Sequence, residues 1–282
     1  MLRLTNNSIE IILFRTSLKI PDNEVIQSLK ELFNQQKLKS ELYLGLGEID
    51  HMAIIDGVLD IEPKFPFPNI RTVGRIRGQY INYNEQCNNH KLDSAGLVVT
   101  CLKINPILLK KQTFGIIESQ ILPQIGDVIS LYESNMINDV YLSLGWSEII
   151  LVVKFTSLGN LSDLLFGLRD ATCTILETGQ TRNAFSVSFS HFFLRLDENC
   201  QINGNLPHGN MDARIRVLCK PGKGVSMLNK LDNPRMIIGK YDYAIDVTHS
   251  SIKNICNTVT NLRRNYTDQI ISTSTDLYLC PR

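Results

Sequence analysis

"IIGKYDYAIDV", residues 237–247, reads as an apolar strand, a glycine turn and a second strand. Two earlier stretches repeat the phrase: "LGLGEIDHMAIID" from Leu44 and "LSLGWSEIILVV" from Leu142. They align as Leu46-Gly47-Glu48-Ile49-Asp50, Leu144-Gly145-Trp146-Ser147-Glu148 and Ile238-Gly239-Lys240-Tyr241-Asp242. Each copy leads into a β-rich run, "HMAIID", "IILVVK" and "YAIDVT". Glycine supplies the backbone freedom of a tight strand-to-strand connection. The acid three positions on falls at the open end of the following strand. Each copy therefore predicts a β-hairpin.

The flanking sequence turns hairpins into units. After the second copy, Leu161, Leu164, Leu165 and Leu168 recur at helical spacing, and "AFSVSFSHFFL" then alternates with the period of a half-buried strand. After the third, Ile252, Ile255, Val259 and Leu262 form a helical stripe, followed by the alternating "QIISTSTDLYL". Upstream, "IEIILFRT", "GLVVTCLKI" and "ARIRVLC" each lead into a helical stretch, near 22–36, 108–121 and 223–231. In the first of these, Val25, Leu29, Leu32 and Phe33 share a face and Asp22 is the N-cap candidate.

The order β-α-β-β-α-β predicts an α+β protein of tandem ferredoxin-like units, with antiparallel sheets and helices on one face. The expected boundaries are 1–95, 96–204 and 205–282. The first copy lacks a following amphipathic helix; "IEPKFPFPNIRTVGRIRGQY" runs through three prolines instead. The first unit is therefore read as partial, followed by an irregular segment to about residue 95, with a polar loop over 81–96.

The last unit, from Ala213 to Leu279, resembles the ligand-binding domain of the Lrp/AsnC family of bacterial regulators. The resemblance lies in "IIGKYDYAIDV", "SSIKNICNTVTNLRR" and "TDQIISTSTDLYL", with a weaker echo in 96–194. It implies a ferredoxin-like unit that pairs its sheet with another, often as a dimeric barrel, and binds small effectors near the hairpin glycines. Gly239, Tyr241 and Asp242 occupy those positions. No helix-turn-helix segment precedes the first unit, so transcriptional repression is not implied. Tandem units would let sheets pair within one chain.

Bulk composition narrows the classes. Of 282 residues, 43% are apolar and 20% charged, with 29 Lys and Arg against 28 acids, which indicates no general pull toward nucleic acid or an anionic membrane. Seven scattered cysteines suit a reducing compartment rather than a disulfide framework. The apolar run at 149–153 stops at Lys154, far short of a membrane span, and the N-terminal run broken by Glu10 makes a poor signal peptide. The expected setting is the cytoplasm.

Candidate contact residues follow from the motifs. Gly47, Gly145 and Gly239 serve the turns first and a ligand second. Trp146, the only tryptophan, sits beside a turn, where it would pack between repeats, stack on a ligand or anchor a partner. Arg71, Arg75 and Arg77 gather in one stretch, and Arg75 and Arg77 share a strand face suited to phosphate or an acidic partner. "KPGKG" at 220–224 lacks the spacing of a phosphate-binding Walker loop and reads as a plain loop.

Catalytic signals are missing. Cys87 and His90 have no second pair at zinc-like spacing, and Ser190–His191 adjacency means little because strand neighbours face opposite ways. There is no nucleophile elbow. A polymerase-palm or nucleotide-cyclase site would need an acid on "GLVVTCLKI", which has none. No catalytic residue, metal or cofactor is indicated. The reading is a non-enzymatic regulatory or adaptor subunit binding a protein partner, a second copy or a small ligand. A small-molecule sensor of Lrp/AsnC type is the alternative. The candidate contacts are Gly145, Trp146, Gly239, Tyr241, Asp242, Arg71, Arg75 and Arg77.

Overall fold

In β1 (Arg3–Arg15), Ile9, Ile11 and Leu13 join one buried cluster while Ile12 and Phe14 join another, so both faces of the strand are covered. That two-sided burial is what a computed structural model of the chain explains; it describes residues 3–16, 22–58, 70–82, 93–105, 123, 137–143, 148–174, 179–197, 199 and 201–279. The helix α1 (Asp22–Gln35) lays Val25, Leu29 and Phe33 against the outer cluster. The strands β2 (Ser40–Gly45), β3 (His51–Asp56) and β4 (Arg71–Asn82) complete the first sheet.

A second set follows: β5 (Gly96–Ile104), β6 (Ile137–Ser143), β7 (Glu148–Lys154), α2 (Leu158–Asp170) and β10 (Phe185–Arg195). A short ribbon, β8 (Thr172–Thr174) with β9 (Thr181–Asn183), lies between α2 and β10. The two sheets close on each other through β2–β10 and β4–β6, giving a barrel of order β1-β3-β2-β10-β5-β7-β6-β4. Its interior is apolar, filled by residues such as Ile11, Met52, Val99, Ile150 and Phe193.

The rest of the chain forms a separate four-stranded sheet. It holds β11 (His208–Cys219), α3 (Gly224–Leu228), β12 (Arg235–Met236), β13 (Tyr243–Ser251), α4 (Ile252–Asn265) and β14 (Ile270–Leu279), in the order β12-β13-β11-β14. The stripe Ile252, Ile255, Val259 and Leu262 is buried as its spacing predicts. A large cluster joins this sheet to the outside of the barrel: Val98, Leu161 and Leu164 meet Met211, Ala213 and Ile255. The fold is thus α+β, with antiparallel sheets and few helices. Among the described residues, no helix is long and apolar enough to cross a membrane. Cys219 and Cys256 are buried free thiols.

Two expectations change. Residues 71–82, expected to be irregular, form a long strand paired along β1; the three prolines lie upstream of it and so do not interrupt its ladder. The first arm of "IIGKYDYAIDV" is not a strand: β12 ends at Met236, Ile238 is fully exposed, and Gly239 takes φ +148°. The arm pairs with β13 only through Arg235, Met236 and the Ile237 N–H, and beyond that it turns out into solvent. The expected helix at 108–121 and the second-copy turn at 144–147 lie outside the described residues.

Candidate functional site between barrel and C-terminal sheet

The site is assembled by the turn between β2 and β3. Its backbone is locked by three bonds: Gly45 N–H donates to Asp50 O (2.8 Å), Asp50 N–H to Phe14 O (3.0 Å), and Thr16 N–H to the Asp50 carboxylate (3.0 Å). The third copy repeats them. Ile237 N–H donates to Asp242 O (3.0 Å), Asp242 N–H to Val217 O (2.9 Å), and Cys219 N–H to the Asp242 carboxylate (2.7 Å). In both copies the acid caps the open end of the first strand of its sheet.

The first turn then docks on the edge of the C-terminal sheet. Thr275 N–H donates to Leu46 O at 3.1 Å. Glu48 accepts from Arg15 (2.8 Å), Lys240 Nζ (3.0 Å) and the Tyr241 hydroxyl (2.9 Å). Asp50 pairs with Arg263 at 3.0 Å, and Arg263 Nε donates to Thr273 at 2.7 Å. The first and third copies of the repeated phrase therefore meet directly, through Glu48, Lys240 and Tyr241.

Beside this joint lies a cleft of about 370 Å³, within the size range of small-molecule pockets. Its walls are apolar: Val98 and Phe192 from the barrel, Leu158, Leu161 and Leu165 from α2, and Leu277 from β14. Its polar lining comprises Glu48, His191, Arg216, Ser274, Thr275 and Asp276. Gly47 also lines it; a Cβ there would stand 3.9 Å from His191 Nδ1 and 4.0 Å from Thr275 O.

Electrostatics separates the roles of these groups. Burial pushes the His191 imidazole below its ordinary pKa, against the pull of the Glu48 charge, so His191 is neutral near pH 7. Burial opposes the charge on Glu48, but hydrogen bonds from Lys240 and Tyr241, with Arg15, hold it below the usual carboxylate value. Burial likewise opposes the Arg216 charge, and the Asp276 carboxylate overrides it. The Arg216 guanidinium also stacks 5.2 Å from the Tyr241 ring centroid. Burial and the bond to Glu48 raise the Tyr241 phenol.

Two polar atoms stand out. Among the described residues, neither Arg216 Nε nor Thr275 Oγ1 has a hydrogen-bond partner, though both atoms are buried. Buried polar groups are satisfied in the great majority of cases, so an unsatisfied one calls for an explanation. Both residues line the cleft.

The residues singled out from sequence fall in several places. Tyr241 joins Glu48 at the joint, Asp242 caps β11, and Gly239 is exposed with no atom within 4 Å of a Cβ placed on it. None of the three appears in the lining of the cleft. Arg75 and Arg77 do share a strand face, where both reach the buried Glu10 carboxylate, at 2.7 and 3.3 Å; Arg71 is exposed at the start of β4. Gly145 and Trp146 lie outside the described residues. Sequence reasoning missed Glu48, His191, Arg216 and Thr275. The usable signal was the Ser/Thr-rich last strand, whose hydroxyls are costly to bury without a partner.

No family model matches the chain, and no curated protein matches it. Solved structures similar to it are chlorite dismutases from Candidatus Nitrospira defluvii. A single-substitution variant is 13% identical over 68% of this chain and 93% of that one, with a TM-score of 0.47. A doubly substituted variant is 13% identical over 69% and 96%, with a TM-score of 0.49. An imidazole complex is 14% identical over 70% and 95%, with a TM-score of 0.47.

The Lrp/AsnC reading is corrected. The physical reason is visible in the sheets. The barrel is closed by strands β1 to β10, not by the C-terminal sheet. The face of that sheet turned away from α4 carries Arg214, Arg216, Asp246 and Asp276, with Arg214 and Asp246 paired at 2.7 Å, which is no surface for an apolar barrel core. The non-enzymatic regulatory or adaptor reading and the Lrp/AsnC-type sensor, which were built on that resemblance, are dropped with it.

Proposed function

We propose that this chain is an enzyme acting on a small amphipathic molecule in the cleft, with His191 as the proton acceptor. The observation that supports it is one apolar-walled cleft lined by a neutral imidazole and by Arg216, whose buried Nε has no partner among the described residues. A substrate oxygen would accept from Arg216, a donor that stabilises negative charge developing on that oxygen during reaction. Neutral His191 would take a proton from the substrate. Glu48, held ionised, would favour the imidazolium so formed, because its charge acts on His191 in that direction. The walls of Leu158, Leu161 and Phe192 would keep water from the reacting atoms.

The architecture proposed to carry this site is three ferredoxin-like units with boundaries 1–95, 96–204 and 205–282. Each four-stranded sheet has the same positional order: fourth, first, third, second. The matched hydrogen bonds of Asp50 and Asp242 add support. A cytoplasmic setting is supported by the buried free thiols of Cys219 and Cys256.

The test incubates the wild-type chain and a His191→Gln variant with a metabolite extract and follows consumption by mass spectrometry. Compounds consumed by the wild type and spared by the variant are expected. Equal consumption by both, or by neither, overturns the reading.

A further inference from the structure

We infer that the outer end of the C-terminal sheet docks on an anionic phospholipid surface, independently of the cleft. Large apolar side chains stand in solvent along one short stretch of the chain there. Val225 is 83% exposed, Leu228 40%, Met236 76%, and Ile238 is fully exposed.

The first three share one side of the sheet. From α3 and the residues just after it, Ser226 and Lys230 both donate to Gln269 Oε1, at 3.3 and 3.2 Å, beyond the end of α4. Met227 is buried beneath α3. A helix turns about 100° per residue, so Val225 and Leu228 point away from α4, toward solvent and the β12 edge. Met236 stands at that edge, opposite Tyr243 in the ladder. Directly opposed residues of an antiparallel pair share a face, and Tyr243 packs in the cluster under α3 and α4. Its hydroxyl donates to Gly224 O at 2.9 Å, which brings Met236 beside the start of α3. Ile238 lies at the tip of the hairpin that β12 opens.

Cations surround these residues. The loop "KPGKG" supplies Lys220 and Lys223, and Lys230 and Arg264 follow α3 and close α4. Among the described residues none of the four is in an ion pair. The acids on the same loops are Asp232 and Asp268, so the balance is positive. The chain's net charge of +1 conceals this local excess.

Shape and charge choose the occupant. Val225, Met236 and Ile238 protrude instead of lining a groove, so a protein partner would need a preformed pocket for each. A fluid lipid surface admits protruding side chains without one. A two-fold contact with a second copy would set like cations against each other. Lysine and arginine are drawn to anionic headgroups, and the apolar side chains between them gain by leaving water.

The experiment floats the full chain with vesicles of phosphatidylcholine alone, and with vesicles containing about 30% phosphatidylserine. Binding to the anionic vesicles is expected to be roughly tenfold or more the stronger, and to weaken as salt is raised. Val225→Ser combined with Met236→Ser is expected to lower that affinity about tenfold, because both side chains forfeit apolar burial. The melting temperature of this variant is expected to stay within about 2 °C of the wild type, as for other surface substitutions. Should it fall further, Lys223→Glu carries the test, and unchanged affinity in that variant overturns the proposal. Equal binding to both kinds of vesicle, or binding to neither, also overturns it. So does a concentration-dependent dimer that the double variant dissolves, which would assign the surface to a second copy.

Discussion

The turns at Gly45–Asp50 and Ile237–Asp242 have the same three hydrogen bonds and opposite fates. The first is pressed between the barrel and the C-terminal sheet, with Asp50 7% exposed; the second faces solvent, with Ile238 fully exposed. One bond closes each turn on itself, and the other two tie its acid to the first strand of the same sheet. What each turn does is decided by its neighbours. Glu48 of the first turn takes three donors, two of them from the third. The lesson is that a repeated phrase repeats a backbone shape, while burial differentiates the copies.

Substitution of the two capping acids breaks the comparison most sharply. Asp50→Asn leaves Arg263, whose side chain is 12% exposed, facing a neutral group. The expected loss is about 3 kcal/mol, the scale of breaking a buried pair. Asp242→Asn keeps a neutral acceptor for Cys219 N–H at an exposed position and is expected to cost about 1 kcal/mol. Urea denaturation of both variants checks the order; equal losses would mean that burial is not what separates the turns.

The glycines sharpen it next. A Cβ at Gly45 would stand 2.0 Å from Ile49 O, a backbone atom that moves only if the turn rebuilds. Gly45→Ala is expected to cost about 2 kcal/mol by overpacking, read in the same denaturation assay. At the matching place in the third turn, Ile237 carries a full side chain.

The smallest effect is that of pH on Glu48. Its folded pKa lies below the ordinary value of 4.5, so its contribution to stability is present above that value and is lost as pH falls through the folded pKa. The melting temperature of the wild type is expected to exceed that of Glu48→Gln at pH 7, with the gap closing below about pH 4. The gap is small because the Glu48 side chain is 36% exposed and its ion pairs are screened. A gap that widens on acidification would reverse the sign of this linkage.

Much of the fold was legible in local sequence. The stripe Ile252, Ile255, Val259 and Leu262 is buried, the Ser/Thr-rich strand exists, and Arg75 and Arg77 do lie on one face. These are periodicities, and a helix or strand imposes its period wherever it forms. The strand at 71–82 was hidden by prolines that stand just before it, and the early end of the edge strand at Met236 by an apolar composition that suits a longer strand.

The site was legible only in part. Tyr241 was singled out from its phrase, but its partner Glu48 stands 193 positions away in the chain. His191, Arg216 and Thr275 sit on β10, β11 and β14, and no spacing rule links them. By itself the sequence determined the amphipathic helices and the alternating strands, because those depend on period alone. The tertiary structure decided which sheets close into the barrel, which turn is buried and which polar atoms are left without partners. Those outcomes depend on long-range packing, where the burial of apolar faces overrides sequence proximity and a polar atom's environment is fixed by whatever the distant chain brings beside it.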